Sequence, residues 1–467
     1  MATKVLSGKD LRKLGYPEGI VVKVALALLE KHFKNKSKSF KIELMRKVIN
    51  NQDDYINDNR FRLLIRELRL KKGLADKKPA LKRKEYSVFG MEGIDAKTIN
   101  QMENAMKLPV AEAGALMPDA HFGYGLPIGG VLATDNSVIP YGIGLDIGCR
   151  MSLSILDLPV KILEEKRELF KSQLIKNSCF GFEQFDRPKD HEVLSRNEFK
   201  EIPSVKRLKD LAAKQIGSSG SGNHFVEFGV TTLPAENQLG LPAGDYVGIL
   251  THSGSRGLGS NLARYYTKIA TLTCKLPQQI ERLAWLEMNS EAGQEYWLAM
   301  NLAGDYAKAC HDQIHDRLMR AVGAQRLVNI ENHHNFAWKQ QVNGKELIVH
   351  RKGATPAAKG EFGVIPGSMT TNCYIVVGKG SESSLNSASH GAGRELSRSE
   401  ARDYVTKDDL MNEVKFSGIE LIGGGVDESP FAYKDIDQVI ARQSDLIDIV
   451  GTFLPKIVRM AGSKIDE

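Results

Sequence analysis

The sequence predicts an α+β protein made of one large domain and a small helical N-terminal extension. Short apolar runs that end in glycine, such as DYVGILTHSG and NCYIVVGKG, are typical of strands that lead into loops. Longer stretches with helical patterning lie between those runs, at residues 259–274, 278–320, 395–414 and 434–452. The two kinds of segment do not alternate regularly, which favours α+β over a doubly wound parallel sheet.

Along the chain, residues 1–75 form the predicted helical extension, residues 76–86 a basic linker and residues 87–467 the large domain. Apolar residues recur at helical spacing in the extension, first as Val22, Leu26, Leu29 and Phe33, then as Phe61, Leu64, Ile65 and Leu68. Seven Lys or Arg residues lie between Lys71 and Lys84. This stretch is either a solvated linker or a strip that binds nucleic acid by releasing counterions from phosphates.

The composition is that of a folded protein without a membrane span. The 467 residues include 42% hydrophobic and 26% charged residues, and no apolar run reaches the length of about 18 residues that a transmembrane helix needs. The start of the chain lacks the apolar core of a signal peptide, and five irregularly spaced cysteines argue against a disulfide scaffold. We therefore expect a cytoplasmic protein. The net charge of +7 is too dilute over this length to specify a partner.

Several histidines beside Gly or Asn predict a metal site. Small neighbours let the backbone bend sharply and leave an imidazole open to a metal or a substrate. Asp146 and Cys149 in GLDIGC offer a carboxylate and a thiolate three residues apart, and His224, His252 and His334 lie in similar loops. A thiolate can bridge two ions, so this set is sufficient for a two-metal centre holding Mn²⁺ or Zn²⁺, the kind of centre that acts on phosphate esters and anhydrides.

One histidine pair has a competing interpretation. His311 and His315 in HDQIH have the i,i+4 spacing of helical zinc proteases, but an Asp stands where the general base Glu is needed. We therefore expect a surface helix here rather than a protease site.

A nucleotide site is predicted without a P-loop. The chain contains no GxxxxGK[ST] motif, but GSSGSGNH (217–224), PGSM (366–369) and HGAGR (390–394) are glycine-rich loops whose amides can hold an anion. HGAGR is the strongest of these signals because it places His390, a competent nucleophile toward phosphorus, beside Arg394, which can stabilise developing negative charge.

Taken together, these motifs resemble the RtcB-type RNA-splicing ligases. The matching strings occur in the order of that family and cover nearly everything after residue 85: MPDAHFGYGLPIGG, GLDIGC, GSGNHFVE, HSGSRGLG, HHN, HRKGA, PGSM, SASHGAGRELSR and AYKDID. The resemblance implies a single catalytic domain of the RtcB type, with central β-structure surrounded by helices. The chain is identified as a divergent paralogue with an N-terminal extension.

The resemblance also implies an activity. Members of the family join RNA ends bearing a 3′-phosphate or a 2′,3′-cyclic phosphate to ends bearing a 5′-hydroxyl, in RNA repair or tRNA splicing. They use GTP and two Mn²⁺ ions and pass through a guanylylated histidine and an RNA end activated as 3′-pp-G. We expect the same of this chain, acting on RNA as a monomer without membrane attachment.

Residue by residue, the resemblance assigns His390 as the nucleophile that accepts GMP. It implies that Asp146, Cys149 and His224 hold one Mn²⁺ and that Cys149, His252 and His334 hold the second. Asp119 and His121 match a Pro-Asp-x-His motif near the metals. The implied nucleotide-binding residues are Asn223, His224, Phe225, Glu227, His334, Asn335, Pro366, Gly367, Ser368, Met369, Cys373, Gly391, Ala392, Gly393, Arg394 and Tyr433, with the Tyr433 ring stacked on guanine and Phe225 opposite.

The sequence departs from the family at several points. Gly148 and Arg150 flank Cys149 in DIGCRM, Cys373 stands where a Ser normally contacts the nucleotide, and VRMAGSKIDE replaces the usual C-terminal Lys-Gly. The alternative function is therefore a metal-dependent phosphoesterase or nucleotidyltransferase on the same scaffold without sealing activity. A third hypothesis is a non-catalytic RNA-binding protein. It is disfavoured because such a protein would not need a nucleophile together with a set of metal ligands.

Overall fold

The computed structural model describes residues 6–17, 19–55, 58–72, 84–181, 183–186 and 190–462. Contacts divide the chain into two compact units, one formed by residues 1–79 with 271–276 and the other by residues 80–270 with 277–467. Residues 76–83 of the predicted linker lie outside the described residues.

The N-terminal unit contains short helices around a small apolar core. The helices are α1 (Gly8–Lys13), α2 (Ile20–Phe33), α3 (Lys38–Asn50) and α4 (Arg62–Lys72). Ser7 and Asp10 form a capping box at the start of α1, which satisfies two backbone N–H groups that the first turn leaves unpaired. Leu29, Leu64 and Leu68 are buried together in the core, as their helical spacing requires.

The larger unit mixes helices and strands, which confirms the α+β class. Its helices are α5 (Ala96–Met106), α6 (Ile162–Glu165), α7 (Arg167–Asn177), α8 (Glu198–Glu201), α9 (Pro203–Lys206), α10 (Lys209–Gln215), α11 (Arg256–Thr273), α12 (Glu291–Val322), α13 (Arg398–Tyr404), α14 (Lys407–Phe416) and α15 (Ile436–Ala441). Its strands are β1 (Ser87–Val88), β2 (Ala111–His121), β3 (Ile128–Thr134), β4 (Ser137–Val138), β5 (Arg150–Leu156), β6 (Phe225–Leu233), β7 (Gly244–Ser253), β8 (Leu286–Glu287), β9 (Arg326–His333), β10 (Asn335–Val342), β11 (Lys345–Lys352), β12 (Ala354–Pro356), β13 (Phe362–Ile365), β14 (Cys373–Gly378), β15 (Ser387–Ser389), β16 (Glu420–Gly424) and β17 (Ile447–Gly462). Among the described residues, no helix combines the length and the apolar character needed to cross a bilayer.

Two sheets carry most of the strands. The larger has the order β13-β14-β17-β6-β7-β5-β9, with β16 beside β17, and the smaller has the order β1-β2-β3-β11-β10. In the larger sheet β5 is antiparallel to both of its neighbours, so that Arg150 at its start pairs with Ser253 at the end of β7 and with His333 at the end of β9. The start of β5 and the ends of β7 and β9 therefore meet at one edge of this sheet.

Two of the predicted helical stretches are wrong in part. The stretch 278–320 becomes a regular α-helix only from Glu291, and the stretch 434–452 is helical only over α15. From Ile447 the chain forms β17, which pairs with both β14 and β6. Its β-branched residues favour an extended backbone once two neighbouring strands supply hydrogen-bond partners, and apolar spacing alone does not reveal those partners.

Candidate active site

The candidate metal ligands lie where strands of the larger sheet begin or end. Asp146 and Cys149 belong to the loop before β5, and His224 immediately precedes β6. His252 lies at the end of β7, and His334 is the single residue between β9 and β10. Because β5, β6, β7 and β9 are joined in antiparallel register, these five side chains, distant in sequence, come together.

The five side chains form one cluster with Cys149 at its centre. The Sγ atom of Cys149 lies 3.3 Å from Nε2 of His224 and 3.2 Å from Nε2 of His252. His224 Nε2 is also 2.9 Å from Oδ2 of Asp146, and His252 Nε2 is 3.2 Å from Nε2 of His334. The ligand atoms form two groups, Asp146–Cys149–His224 and Cys149–His252–His334, and within each group they lie within 4.8 Å of one another.

The protonation state of His252 is set by its surroundings. Its Nδ1 lies 2.9 Å from the carbonyl oxygen of Asn223, which can only accept a hydrogen bond, so Nδ1 carries the proton. Burial, with the nearby charge of His224, lowers the pKa of His252 to about 3, so the ring is neutral at physiological pH. Its Nε2 therefore offers a lone pair to the centre of the cluster, the arrangement that metal-ligating histidines adopt.

The donor set fits divalent metal ions. The single thiol proton of Cys149 cannot satisfy both of the imidazole nitrogens that face it, whereas a cation stabilises a thiolate and several lone pairs at once. Burial, with the charge of Asp146, raises the pKa of Cys149 well above its usual value, so the thiolate requires a cation. Imidazole, carboxylate and thiolate together suit a borderline transition metal, and both ligand groups share Cys149.

Two glycines of the motifs are required by this packing. A Cβ added at Gly254 would lie 2.0 Å from Oδ1 of Asp146, and one added at Gly220 would lie 1.7 Å from Nδ1 of His224. The glycines of HSGSRG and GSGNH thus leave space for two of the candidate ligands.

The departures beside Cys149 have structural explanations. Gly148 has φ of 70°, and an added Cβ would lie 2.8 Å from Cα of Gly304 on α12, so the helix packs directly against the backbone of the loop. Arg150 is buried, forms an ion pair with Glu331 at 3.4 Å and donates to the carbonyl oxygen of Gly304. Neither residue reduces the ligand set.

His390 lies beside the cluster and is oriented by a buried carboxylate. Its ring centroid is 5.0 Å from that of His334, and its Nδ1 lies 2.6 Å from Oδ2 of Asp119. The same oxygen accepts the backbone N–H of His390 at 3.1 Å. Since Asp119 holds the proton of Nδ1, the Nε2 of His390 keeps its lone pair and can act as a nucleophile.

The surroundings of Asp119 keep it ionised. Burial raises the pKa of this carboxyl, but His390, His121 and Lys434 together lower it below its usual value. The ammonium group of Lys434 also donates to the carbonyl oxygens of Pro118 and Ala120, on either side of Asp119. Sequence reasoning missed this orienting role, and the available signal was an acidic residue inside the otherwise apolar run 113–120 of β2.

Two of the three predicted nucleotide loops meet next to His390. A Cβ added at Gly391 would lie 3.3 Å from the carbonyl oxygen of Pro366, so the HGAGR turn and the PGSM loop are in contact. Ser368 donates its backbone N–H to Thr371, which shapes the PGSM loop. Gly353, the residue between β11 and β12, lies close to the ring of His390. Asn335 holds this residue in place because its side-chain oxygen accepts the N–H of Gly353.

Glu227 is a buried carboxyl with unused hydrogen-bonding capacity. It is 2% exposed, and no partner for its Oε1 lies among the described residues. Burial raises the pKa of Glu227 well above its usual value. Cys373 is also buried, and its pKa is raised well above the usual value by burial first and by the charge of Glu227 second. The departure at Cys373 therefore places a thiol, a weaker hydrogen-bonding group than serine, near an unpartnered acid.

Arg394 and Tyr433 share contacts around Glu428. Arg394 donates to Glu428 and to the carbonyl oxygen of Asp427, and its guanidinium lies 5.0 Å from the centroid of the Tyr433 ring. Tyr433 donates to Glu428 as well. Phe225 packs against a different apolar cluster, which includes Met369 and Met460. Arg394 thus anchors the segment that carries Tyr433, and the stacking of guanine between Tyr433 and Phe225 stays a prediction.

In the altered C-terminal tail, the side chain of Arg459 is used in contacts that stabilise the fold. Its guanidinium donates to the carbonyl oxygens of Ile175 and Ser178 and pairs with Glu183. The last residues of the tail, 463–467, lie outside the described residues.

The expectation of a surface helix at HDQIH is wrong for its two histidines. His311 and His315 are both fully buried on α12, where they share the hydroxyl of Thr251 at 2.6 and 2.8 Å. Thr251 directly precedes the candidate ligand His252 on β7. The two histidines of α12 therefore help to fix the backbone next to this ligand. The two rings hydrogen-bond to the protein instead of forming a protease site.

The comparisons with known proteins agree with these features. A family model described as tRNA-splicing ligase RtcB matches residues 101–207 and 182–461. The RNA-splicing ligase RtcB of Escherichia coli is 31% identical over 402 residues, which cover 79% of this chain and 95% of that protein.

Two further relatives match over most of their length. The tRNA-splicing ligase RtcB of Nanoarchaeum equitans is 30% identical, with 78% of this chain and 91% of the relative covered. The RNA-splicing ligase RtcB homolog 2 of Entamoeba dispar is 29% identical, with 88% of each chain covered. Both the family model and the extent of these matches show that this chain belongs to the RtcB family of RNA-splicing ligases.

Proposed function

We propose that this protein is a GTP- and Mn²⁺-dependent RNA ligase that joins 3′-phosphate or 2′,3′-cyclic phosphate ends to 5′-hydroxyl ends through a guanylylated His390. The observation that carries the proposal is the contact between Asp119 and Nδ1 of His390, immediately beside the ring of His334. A histidine with one nitrogen held by a carboxylate and the other free, next to a cluster of metal ligands, is arranged for attack on a phosphorus atom.

His390 performs the first chemical step. Its Nε2 lone pair forms a bond to the α-phosphorus of GTP, while the bond from that phosphorus to the oxygen bridging to the β-phosphorus breaks. Pyrophosphate leaves with the electron pair. Asp119 stabilises the positive charge that develops on the ring because it keeps its hydrogen bond to Nδ1 throughout.

The RNA then passes through two further transfers. An oxygen of the RNA 3′-phosphate attacks the phosphorus bound to His390, and the histidine leaves as a neutral ring. The 5′-hydroxyl of the second RNA attacks the activated 3′-phosphate, loses its proton to water and displaces GMP. An end that bears a 2′,3′-cyclic phosphate is first hydrolysed: water adds to the phosphorus, and the bond to the 2′-oxygen breaks to leave a 2′-hydroxyl and a 3′-phosphate. Asp146, Cys149, His224, His252 and His334 would hold the two metal ions, which when bound supply neutralisation of phosphate charge.

Changing Asp119 to Asn tests the orientation of the nucleophile. The amide of Asn can donate to Nδ1, which favours the tautomer with its proton on Nε2, the attacking atom. Guanylylation should slow by about 10²–10⁴-fold, the scale seen when a histidine loses its orienting carboxylate. Rapid-quench labelling with α-labelled GTP measures the rate, and ¹⁵N NMR of labelled histidine reports the tautomer. An unchanged tautomer together with an unchanged rate would assign Asp119 a purely structural role.

Glu227 is the candidate for recognising guanine. The N1–H and N2–H groups of guanine, which adenine lacks, would donate to the buried carboxyl of Glu227 and stabilise its ionised form. Glu227→Gln should lower kcat/KM for guanylylation roughly 10–100-fold, the scale of a hydrogen bond to a charged group, and reduce the preference for GTP over ATP. Parallel labelling with the two nucleotides measures the ratio, with Glu346→Gln, an exposed Glu on β11, as the matched control. A ratio equal to that of the unmodified protein would place guanine recognition elsewhere.

The overall function is tested by supplying Mn²⁺, GTP and two RNA strands with 3′-phosphate and 5′-hydroxyl ends. We expect a covalent protein–GMP adduct and a joined RNA product, both absent without metal. An adduct without joined RNA, or phosphate release alone, would favour the phosphoesterase or nucleotidyltransferase alternative. RNA binding without any adduct or hydrolysis would favour a non-catalytic role. A monomeric state and a cytoplasmic location stay predictions of the sequence.

A further inference from the structure

The tip of the hairpin between β2 and β3, residues 122–127, exposes two aromatic side chains shortly after Asp119, the residue that holds the proposed nucleophile. Phe122 is 57% exposed and Tyr124 is 64% exposed, although rings of this size normally bury most of their surface. Asp119, which holds His390, is only three residues before Phe122, so the two Cα atoms are at most about 11 Å apart. On the other side of the tip, Ile128 lies next to the space that Gly353 leaves in front of His390.

One exposed cation contacts two aromatic rings at this tip. The guanidinium of Arg282, an exposed residue, lies 4.4 Å from the ring centroid of Tyr124 and 5.2 Å from that of Tyr141. The Nζ atom of Lys352, a buried residue, lies 5.4 Å from the centroid of the Tyr141 ring. The distances from Arg282 are within the range of cation–π attraction, so its guanidinium joins the rings of Tyr124 and Tyr141 in one group.

The backbone of the tip is held rigidly in this arrangement. Gln101 donates to the carbonyl oxygens of Gly123 and Gly125 at 2.9 and 2.8 Å and accepts the N–H of Gly123. Lys352 donates to the carbonyl oxygens of Tyr124 and Leu126. Because the loop is already ordered, the exposed rings can bind a flat ligand without a large loss of conformational entropy.

We propose that Phe122, Tyr124 and Arg282 form a stacking platform for an unpaired base of the RNA end that reacts at His390. The proposal rests on the function proposed above and adds a substrate-binding surface to it. Every base has a π-face that stacks on aromatic rings and on guanidinium planes, and the positive charge of Arg282 complements the phosphate of the same strand. This combination of flat rings and cations fits single-stranded RNA.

The test measures binding of a short, fluorescently labelled, single-stranded RNA with a 3′-phosphate by anisotropy, using the full-length protein. Phe122→Ala, Tyr124→Ala and Arg282→Gln should each raise Kd at least about fivefold, the low end of one lost stacking contact. Tyr124→Phe keeps the ring and should retain the affinity. Phe416→Ala removes a ring that is 90% exposed on α14 and should leave Kd unchanged. Thermal melting of each variant shows whether it is folded.

A second arm replaces one base at a time by an abasic residue along the RNA. At the position that stacks, the abasic RNA should bind the unmodified protein as weakly as it binds Tyr124→Ala, because each change removes the same contact. Equal Kd values for the aromatic variants and the unmodified protein on every RNA would overturn the platform. Covalent labelling of the unmodified protein with GTP needs no RNA, so a failure of the proposed function is recognised separately from a failure of the platform.

Discussion

Replacing His390 by Ala should abolish covalent labelling of the protein by α-labelled GTP. In the proposed first step, the imidazole of His390 supplies the nitrogen that bonds to phosphorus. Its Nε2 is available for this bond because Nδ1 is held by Asp119. Without that nucleophile, neither the adduct nor an activated RNA 3′-end can form, so joining of 3′-phosphate to 5′-hydroxyl RNA should fall below detection. Gel analysis of labelled protein and of RNA products measures both losses.

The control for this prediction supplies RNA that already carries a 3′-pp-G end. The last transfer does not use His390, so His390→Ala should still seal this RNA, provided that the metal centre is intact. His191→Ala, a change at a partly exposed histidine that caps a short helical turn elsewhere, should keep its labelling. Label that persists in His390→Ala, mapped by peptide analysis to another residue, would contradict the assignment of the nucleophile.

The second large effect is expected at Cys149, because both candidate ligand groups share its sulfur atom. Cys149→Ser substitutes a hydroxyl that binds a divalent transition metal far more weakly than a thiolate. Loss of a residue that merely supports a ligand lowers metal affinity about 10–100-fold, so loss of a shared ligand should weaken binding at least that much at both positions. Titration calorimetry with Mn²⁺ and metal analysis after dialysis measure the affinity and the stoichiometry without relying on activity.

Cys310→Ser is the matched control for the metal experiment. Cys310 is fully buried, as Cys149 nearly is, but it lies on α12 outside both ligand groups. We expect the control to retain the stoichiometry of the unmodified protein. Two ions bound with undiminished affinity by Cys149→Ser would contradict a bridging role for this sulfur.

Much of the fold class could be predicted from local patterning, but strand identity could not. The apolar spacing of the N-terminal helices is local information, and Leu29, Leu64 and Leu68 are buried as that spacing requires. The segment that begins at Ile447 has apolar spacing that fits either a helix or a strand, and the backbones of β14 and β6 decide between them. Hydrogen-bond partners more than 60 residues away are not visible in a local pattern.

The candidate site was predictable to a different degree at each position. The ligand types were recognisable because a carboxylate, a thiol and loop histidines beside glycine are an unusual combination. The role of Asp119 was not recognisable, since it depends on a contact 271 residues distant in sequence. The positions of His311 and His315 were also misjudged, because the polar groups that allow their burial, such as Thr251, come from another strand.

The sequence by itself determined the family of this protein and its α+β class, and its motifs supplied the candidate nucleophile and the candidate metal ligands. Only the tertiary structure decided how those residues are used. Antiparallel pairing of β5, β6, β7 and β9 brings five side chains together as two candidate ligand groups that share Cys149, and burial and hydrogen bonds then set which atoms keep a lone pair. Residue types are local properties, whereas protonation, orientation and exposure depend on neighbours that only the folded chain supplies.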